Sequence, residues 1–421
     1  MWLLILLSFY SLSFSLELEE LWKYALEKNP LLSSKKHALE SAKWQLKAKE
    51  QAYFPELIGA YRLSWQSERQ SIHLPAFDAF PPVKMEGSKD KYQSFQVGLR
   101  QVLYDGGFRK SMVDISKSLL RVSQEDYKEA LFDVKLEVAK AYLSVLSSLD
   151  QLEVVRKQKH AVEEDLRQRS AFYKEGLVAI TEVLQVRVRL AEVERNLRQA
   201  EGNYRIVLAN LSKLTGLEEE ELKHVKPIAI EVSELNLKEL TDKAISQRPA
   251  IKIAKERLRI EERKRGLELS SYYPKVFVEG FYNYSDQNPN LVSRGFFILS
   301  LGLSLNFQSL SGYYKALAQR EEEKRAREEL RELINSISLS VKTAYERLLT
   351  ARDNLRVAEE ALRFAEEFYR LSLEQYRNQI ISGTELIQAE ASLTQARKAK
   401  VIAYYELIKA YFELLREVGE L

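Results

Sequence analysis

Two Thr-Glu pairs occupy matched positions in the chain and suggest a defined helix-end chemistry. Thr181-Glu182 and Thr384-Glu385 lie 203 residues apart, each just after a break in a helical pattern. Threonine is a good helix N-cap, and a carboxylate in the first turn accepts amide N–H groups and complements the helix dipole. We therefore expect Thr181 and Thr384 to cap two helices, with Glu182 and Glu385 in their first turns.

Residues for catalysis or metal binding form no recognisable set. The four histidines share no metal-ligand spacing, and the chain has no cysteine. No phosphate-binding loop surrounds Gly106-Gly107, and no Gly-x-Ser-x-Gly turn is present. The sequence thus predicts a protein that is not an enzyme and that uses no cofactor and no metal.

The composition excludes several further classes. With 30% charged and 45% apolar residues, and only 15 glycines and 9 prolines among 421 residues, the chain is neither disordered nor collagen-like. A formal net charge of +3 gives no electrostatic basis for nucleic-acid binding. Because cysteine is absent, we expect neither a disulfide scaffold nor a lipid anchor on an N-terminal cysteine.

Residues 1–15 predict a secretory signal peptide. The segment 3–14 is apolar or hydroxylated, and Ser13 and Ser15 have the spacing of a cleavage site. Such a run is too short to span a membrane as a helix. A buried N-terminal helix is the alternative. We expect an exported protein whose mature chain begins at residue 16.

The chain is a tandem duplication. Tyr272-Tyr273-Pro274 follows Tyr53-Phe54-Pro55 by 219 residues, whereas Ala344-Tyr345 follows Ala141-Tyr142 by 203. Because the offset becomes shorter along the chain, the first copy has more residues between these two markers than the second copy has. We assign the extra residues to a longer loop at 67–91 of the first copy. We expect a first repeat at 16–216, a connecting segment at 217–246 and a second repeat at 247–421.

Each copy contains two segments in which apolar and polar residues alternate. We expect strands at about 56–66 and 93–104, and again at about 275–285 and 296–307. Period-two segments of about ten residues are typical of transmembrane β-strands. Each segment alone would also fit a half-buried sheet in a soluble domain, but four of them behind a signal peptide favour the membrane.

The remainder of the chain predicts long helices with a seven-residue apolar repeat. Val341, Leu348, Leu355 and Leu362 are seven residues apart, and alanines three residues further on form a second row. This spacing predicts coiled-coil packing. Residues 109–174 alone would form a helix about 100 Å long.

Four strands are too few for a membrane barrel, since the smallest barrels have about eight. An open sheet edge would leave backbone groups unpaired in lipid. Three copies of the chain would supply twelve strands. The predicted fold is therefore mainly α with β: a homotrimer whose 12-stranded membrane β-barrel continues into a periplasmic α-helical barrel.

Two motifs accompany the duplicated order of strand, strand, long helix, turn and helix. Tyr104-Asp105-Gly106-Gly107 follows the second strand, and Gly176–Val183 spans the turn between the two long helices of the first copy. With these motifs the chain resembles the TolC family of outer-membrane efflux proteins over essentially the whole mature sequence. The second copy departs from the pattern, because Gln308–Gly312 replaces the acidic-Gly-Gly motif.

The resemblance implies a passive exit duct of a tripartite efflux or type I secretion system. Such a duct lies in the outer membrane, is surrounded by its lipid and extends into the periplasm. Its implied partners are a periplasmic adaptor protein and an inner-membrane pump. A soluble periplasmic coiled-coil adaptor is the alternative, but it would not have four apolar-faced strands in duplicate.

The resemblance also implies a gate at the periplasmic hairpin ends, held shut by carboxylate, tyrosine and arginine contacts. By motif position the aperture residues are Thr181, Glu182, Tyr376, Glu385 and Gln388. Ile381 stands where an arginine is often found, and Gln388 where a second acid is often found. Three Glu385 carboxylates in a ring would favour cations and raise at least one pKa. The hairpin tips expected to contact an adaptor are Gly176, Leu177, Val178, Ile380, Ile381, Ser382 and Gly383.

Overall fold

The structure is a computed structural model that describes residues 17–76, 81–228, 235–305, 310–378 and 380–421. The expected signal peptide, residues 1–15, lies outside the described residues. The chain divides into two compact units. Unit 1 comprises Met1–His37, Glu125–Lys252 and Arg331–Leu421, and unit 2 comprises Ala38–Gln124 and Ile253–Leu330.

Apart from β2 and β3, which occur only in the first half, the described elements follow one another in the same order in both halves of the chain. The first half contains α1 (Leu18–Lys28), α2 (Pro30–Glu50), β1 (Glu56–Trp65), β2 (Ser71–Leu74), β3 (Val83–Glu86), β4 (Lys91–Tyr104), α3 (Phe108–Lys174) and α4 (Ile180–Thr215). The second half contains α5 (Leu237–Gln247), α6 (Pro249–Leu269), β5 (Lys275–Ser285), β6 (Gly295–Ser304), α7 (Ser311–Arg377) and α8 (Gly383–Val418). Both α3 and α7 have 67 residues, and both α4 and α8 have 36.

Unit 1 is held together by helix packing. Within the α3–α4 hairpin, Val155 and Val162 of α3 form a buried cluster with Val186 and Val193 of α4. Both pairs are seven residues apart, as knobs-into-holes packing requires. The predicted heptad row on α7 is also buried at the positions of Val341 and Leu348, which are at most 2% exposed. The prediction of long coiled-coil helices is therefore confirmed.

A larger core in unit 1 joins α1, α3, α4 and α8. Its fully buried members include Leu21, Val138, Leu211 and Ile408. Polar groups at its margin find partners: the Trp22 indole N–H donates to the Lys135 carbonyl at 2.8 Å, and the Tyr142 hydroxyl donates to the Lys226 carbonyl. Burial raises the pKa of Tyr142 to about 12.

Unit 2 contains an antiparallel sheet in the order β1-β4-β5-β6. The register places the predicted apolar faces side by side, because Leu57 pairs with Leu99 and Leu99 with Gly280, whose other partner is Leu299. The apolar side chains on this face are open: Leu57, Leu63 and Leu301 are 73%, 76% and 76% exposed. A contiguous apolar face of this kind is a surface for lipid or for another protein.

The opposite face of the sheet is more polar. Arg100 and Glu279 are register partners in β4 and β5, and the Arg100 Nε–H donates to the Glu279 carboxylate at 2.8 Å. The alternation along each strand therefore separates an apolar face from a face that carries an ion pair. This is the alternation expected of strands that divide lipid from an aqueous lumen.

Residues 67–91 differ from the expected plain loop. Strands β2 and β3 form a short two-stranded sheet within this segment, with Ile72 opposite Met85. The stem of this hairpin is fixed, since the Gln66 side-chain amide donates to Ser88 Oγ at 2.5 Å and to the Lys89 carbonyl at 2.8 Å. Of the extra residues of the first copy, 71–74 and 83–86 thus form paired strands rather than irregular loop backbone.

Candidate functional site

The α3–α4 turn ends α3 with a glycine in the left-handed region. Gly176 has φ +75°, and its N–H donates to the Tyr173 carbonyl at 3.0 Å. The Leu177 N–H donates to the Phe172 carbonyl at 2.9 Å. These two bonds form a Schellman motif, in which glycine is preferred because a side chain at positive φ is strained. The sequence around Gly176 therefore determines where α3 stops.

The α7–α8 turn begins α8 with a capping box. The Ser382 hydroxyl accepts from the Glu385 amide at 3.3 Å, and the Glu385 carboxylate accepts from the Ser382 amide at 2.8 Å. Hydrogen bonds from the Ser382 amide and hydroxyl lower the pKa of the Glu385 carboxyl. Glu385 is exposed and is turned toward its own helix end.

The expectation that threonines cap these helices is wrong. α4 begins at Ile180 with Ala179 as its N-cap, and α8 begins at Gly383 with Ser382 as its N-cap. Thr181 and Thr384 therefore lie inside the first turn, past the position from which a side chain can cap. Ala179 makes no side-chain capping bond.

Arg169, near the end of α3, is the centre of a buried polar cluster. Its side chain is 1% exposed, and its Nε–H donates to Asp165 at 2.9 Å while Nη1 donates to Glu182 at 3.1 Å. Its guanidinium carbon lies 5.0 Å from the centre of the Tyr376 ring. The Tyr376 hydroxyl in turn donates to Glu182 at 3.4 Å, and burial raises the Tyr376 pKa.

The same guanidinium packs against the first residue of α8. A Cβ added to Gly383 would lie 2.4 Å from Arg169 Nη1, closer than real Cβ contacts. Arg169 thus contacts residues from each of the helices that form the two hairpins: Asp165 on α3, Glu182 on α4, Tyr376 on α7 and Gly383 on α8.

A second ion pair lies deeper in the hairpins. Arg189 of α4 and Glu390 of α8 are 2.9 Å apart, and their side chains are 9% and 16% exposed. Burial raises the pKa of Glu390, and the Asp165 carboxylate acts in the same direction, whereas Arg189 and Arg169 oppose the shift. Arg169 Nη2, Arg189 Nη1 and Glu390 Oε1 have no hydrogen-bond partner in the part of the chain that the structure describes.

Comparison with known proteins places the chain in a family. The sequence profile of the family described as outer membrane efflux protein matches residues 21–217 and 240–420. The chain belongs to the outer membrane efflux protein family. Members of this family are outer-membrane proteins that extend into the periplasm, so the soluble adaptor alternative is not favoured.

The individual proteins to which the chain is similar are distant in sequence, and the solved structures are close in fold. The chain is 28% identical over 196 residues to outer membrane protein TolC of Vibrio cholerae, a match that covers 46% of this chain and 44% of that protein. The crystal structure of the Campylobacter jejuni CmeC outer membrane channel is 17% identical with a TM-score of 0.78, and covers 96% of this chain and 85% of that one. The structure of VceC from Vibrio cholerae is 15% identical with a TM-score of 0.78, and covers 96% of both chains.

The structure brings together only some of the predicted aperture residues of this efflux family member. Glu182 and Tyr376 meet at Arg169, whereas Thr181, Glu385 and Gln388 make no hydrogen bond or ion pair with that guanidinium. The predicted tips are mostly open, with Leu177 and Ile380 70% and 69% exposed. In the described part of the chain, no cluster of His, Asp or Glu could hold a metal, and no helix is long and apolar enough to cross a membrane.

Arg169, Asp165, Arg189 and Glu390 were not predicted as site residues. One signal for Arg169 was present in the sequence. Val155, Val162 and Arg169 are seven residues apart, and all three are at most 2% exposed. A charged residue that continues an apolar heptad row must find buried partners, which is a reason to suspect a functional or specificity role.

Proposed function

We propose that this chain is the outer-membrane duct of a tripartite efflux or type I secretion system, and that the Arg169 cluster latches its periplasmic end. The observation that carries the latch is a guanidinium only 1% exposed that contacts α3, α4, α7 and α8. Resemblance to the TolC family supports assembly as a homotrimer. The chain spans 44% of the length of the TolC protein that it matches, so the activity and partners are part of this proposal.

An ionic latch suits an aperture that must open. A buried guanidinium has lost its hydration and depends on Asp165 and Glu182 for compensation. When the hairpins separate, water solvates these charges again, so the free energy of opening is smaller than for apolar groups exposed by the same movement. Arg169 Nη2 has no partner among the described residues, which weakens the closed state further.

The cation of this latch comes from a different helix than the resemblance implies. The family pattern places an arginine where this chain has Ile381, at the α7–α8 turn. Arg169 of α3 supplies the guanidinium instead and reaches Glu182 at 3.1 Å and the Tyr376 ring at 5.0 Å. The carboxylate and the tyrosine of the implied gate are retained, with the positive charge relocated. Glu385 caps its own helix end, and its place in a ring of three acids stays a prediction for the assembled trimer.

The partners would bind at the hairpin tips. Leu177 and Ile380 lie in the two turns, with exposed fractions of 70% and 69%. Exposed apolar side chains at the end of a charged hairpin are suited to docking of a periplasmic adaptor protein. The adaptor would connect the duct to an inner-membrane pump, which would supply the energy of transport. The contact set comprises Gly176, Leu177, Val178, Ile380, Ile381, Ser382 and Gly383.

The duplicated organisation also belongs to this proposal. The repeats 16–216 and 247–421, joined by 217–246, would each contribute one strand pair and one hairpin to the duct. The matched lengths of α3 and α7, and of α4 and α8, support this division. The two separate matches of the family profile support it independently.

Single-channel conductance in planar bilayers tests the latch. We expect Arg169→Ala to raise conductance several-fold, because Asp165 and Glu182 then repel each other without their shared cation. Gly383→Ala should act in the same direction with a smaller effect, since it displaces the guanidinium without changing any charge.

Two variants provide matched controls. Arg167 is two residues from Arg169 but 76% exposed and paired with Glu164, so Arg167→Ala should leave conductance unchanged. Gly202 lies within α4, and a Cβ added there would meet open space, so Gly202→Ala should also have no effect. Equal conductance of wild type and Arg169→Ala would refute the latch, while absence of any channel in wild type would refute the duct.

A further inference from the structure

The two junctions between strands and long helices differ in charge. In the first copy, an ion pair fills the junction: the Arg109 Nε–H donates to Asp105 at 2.7 Å, and both side chains are 11% exposed. The Asp105 carboxylate also accepts from the Gly107 and Arg109 amides at 3.2 and 3.1 Å. Arg109 lies 5.0 Å from the centre of the Tyr53 ring. At this junction the charge of Arg109 is balanced by Asp105, and the two side chains fill the space between the strand and the helix.

The second copy has lost this ion pair. Gly312 stands 203 residues after Arg109, at the same place in the repeat. A Cβ at Gly312 would lie 2.8 Å from the Tyr272 ring, so the close approach of the ring leaves no room for a side chain. The counterpart of Asp105 is Gln308, which lies outside the described residues. The acid-base pair of the first junction therefore has no equivalent pair of charges in the second sequence.

A cavity of about 270 Å³ lies at the second junction. The residues that line it and matter for recognition are Lys275, Lys315, Ser271, Ser304, Tyr273 and Glu268. Among the described residues, neither Lys275 nor Lys315 has an ion-pair partner within 4.0 Å. With one carboxylate and two ammonium groups on its wall, the cavity has a net positive charge and hydroxyl donors, which favours an anion.

These lysines are specific to the second copy. Lys275 stands where the first copy has Glu56, and Lys315 stands where it has Met112. The first junction therefore balances one acid, Asp105, with one cation, Arg109, whereas the wall of the second has two lysines and one acid, Glu268. An external anion would balance the remaining positive charge of the second junction.

The location indicates what carries the anion. Lys275 begins β5 and pairs in register with Ser304, which ends β6, so the cavity lies at the strand ends that lead into α7. In an outer-membrane protein whose helices extend into the periplasm, this is the periplasmic edge of the membrane. Tyr273, Tyr313 and Tyr314 nearby are 52%, 50% and 63% exposed. Tyrosines and lysines at the edge of an apolar surface are typical of the headgroup region.

We propose that this cavity binds the phosphate headgroup of an anionic phospholipid from the periplasmic leaflet. Lys275 and Lys315 would hold the phosphate, the Ser304 hydroxyl would donate to one of its oxygens, and the tyrosine rings would lie along the upper acyl chains. The Ser271 hydroxyl already donates to the Glu268 carbonyl at 2.9 Å. Each chain has one such site, on its second copy only. The proposal depends on the outer-membrane location and is independent of the latch.

Native mass spectrometry of the detergent-purified protein titrated with dioleoyl phosphatidylglycerol tests the site. We expect the double variant Lys275→Gln/Lys315→Gln to weaken lipid binding at least five-fold, and Lys275→Arg/Lys315→Arg to retain it. The control is Lys110→Gln/Lys117→Gln, two exposed lysines near the start of α3 in the first copy, which should bind as wild type does. Equal affinity of the first double variant and wild type would overturn the proposal.

Two competitor arms identify the source of the anion. Dioleoyl phosphatidylcholine has the same phosphate without net charge and should bind more weakly, whereas equal binding would overturn the anionic class. Inorganic phosphate should not displace the lipid at equal concentration, whereas full displacement would reveal a site for free anions and overturn the lipid. If the double variant does not assemble, lipid binding is measured on the single variants Lys275→Gln and Lys315→Gln. Each is expected to bind the lipid more weakly than wild type does. If the lysine variants bind lipid weakly but conduct as wild type does, the lost lipid binding is distinguished from a failure of the duct.

Discussion

At the residue scale, Glu390 is a carboxylate whose surroundings alter its acidity. Its pKa is raised above the ordinary value of 4.5, first by burial and then by Asp165, despite the opposing charges of Arg189 and Arg169. The folded chain therefore holds a proton at Glu390 at a higher pH than the unfolded chain does. It follows that Glu390 lowers stability above its folded pKa, and that this cost is removed as pH falls toward 4.5.

The pH dependence of thermal unfolding tests this assignment. We expect the stability of wild type relative to Glu390→Gln to rise as pH falls from about 8 through the raised pKa of Glu390, because only wild type can take up the proton. Arg189 faces Glu390 at 2.9 Å and opposes the raised pKa, so the expected change in stability is the net result of burial and this attraction. Parallel unfolding curves for the two proteins from about pH 4 to 8 would contradict a raised pKa.

At the element scale, the two return helices start with different caps. α8 has the Ser382–Glu385 capping box, whereas α4 starts after Ala179, which makes no side-chain cap. We expect Ser382→Ala to destabilise the α7–α8 end by about 1 kcal/mol and Ala179→Ser to stabilise the α3–α4 end by a similar amount. Amide hydrogen exchange over the first turns of the two helices measures this. Faster exchange in Ala179→Ser than in wild type would contradict the assigned helix start.

Much of the element structure follows from sequence periodicity. The expected strands at 56–66 and 275–285 agree closely with β1 and β5, because alternation along an exposed sheet gives a strong signal. The predicted helix starts are less accurate. Thr384 and Ser382 are both good capping residues, and the sequence does not show at which of the two the backbone becomes helical. Arg169 was missed because its partners lie on helices distant in sequence, and periodicity does not report which helices meet.

At the scale of the whole molecule, the sheet of one chain is incomplete. Among the residues that the structure describes, β1 and β6 each have a neighbouring strand on one side only, and the exposed apolar face runs across the sheet up to both of these edges. Unpaired backbone groups in lipid cost several kcal/mol each, so the edges must be covered. We expect β1 to pair with β6 of the next copy and so to close the sheet, and three copies then give a barrel of twelve strands. The proposed lumen, aperture and lipid sites all depend on this closure.

Cysteine crosslinking of β1 to β6 tests that closure most directly. The chain contains no cysteine, so one thiol introduced at 58–62 and one at 297–301 are the only thiols present. We expect oxidation of outer-membrane fractions to give, for pairs in register, covalent products that end at the trimer and that disappear on reduction. A scan that gives only monomers, or a ladder that continues beyond three chains, would contradict a closed three-chain duct.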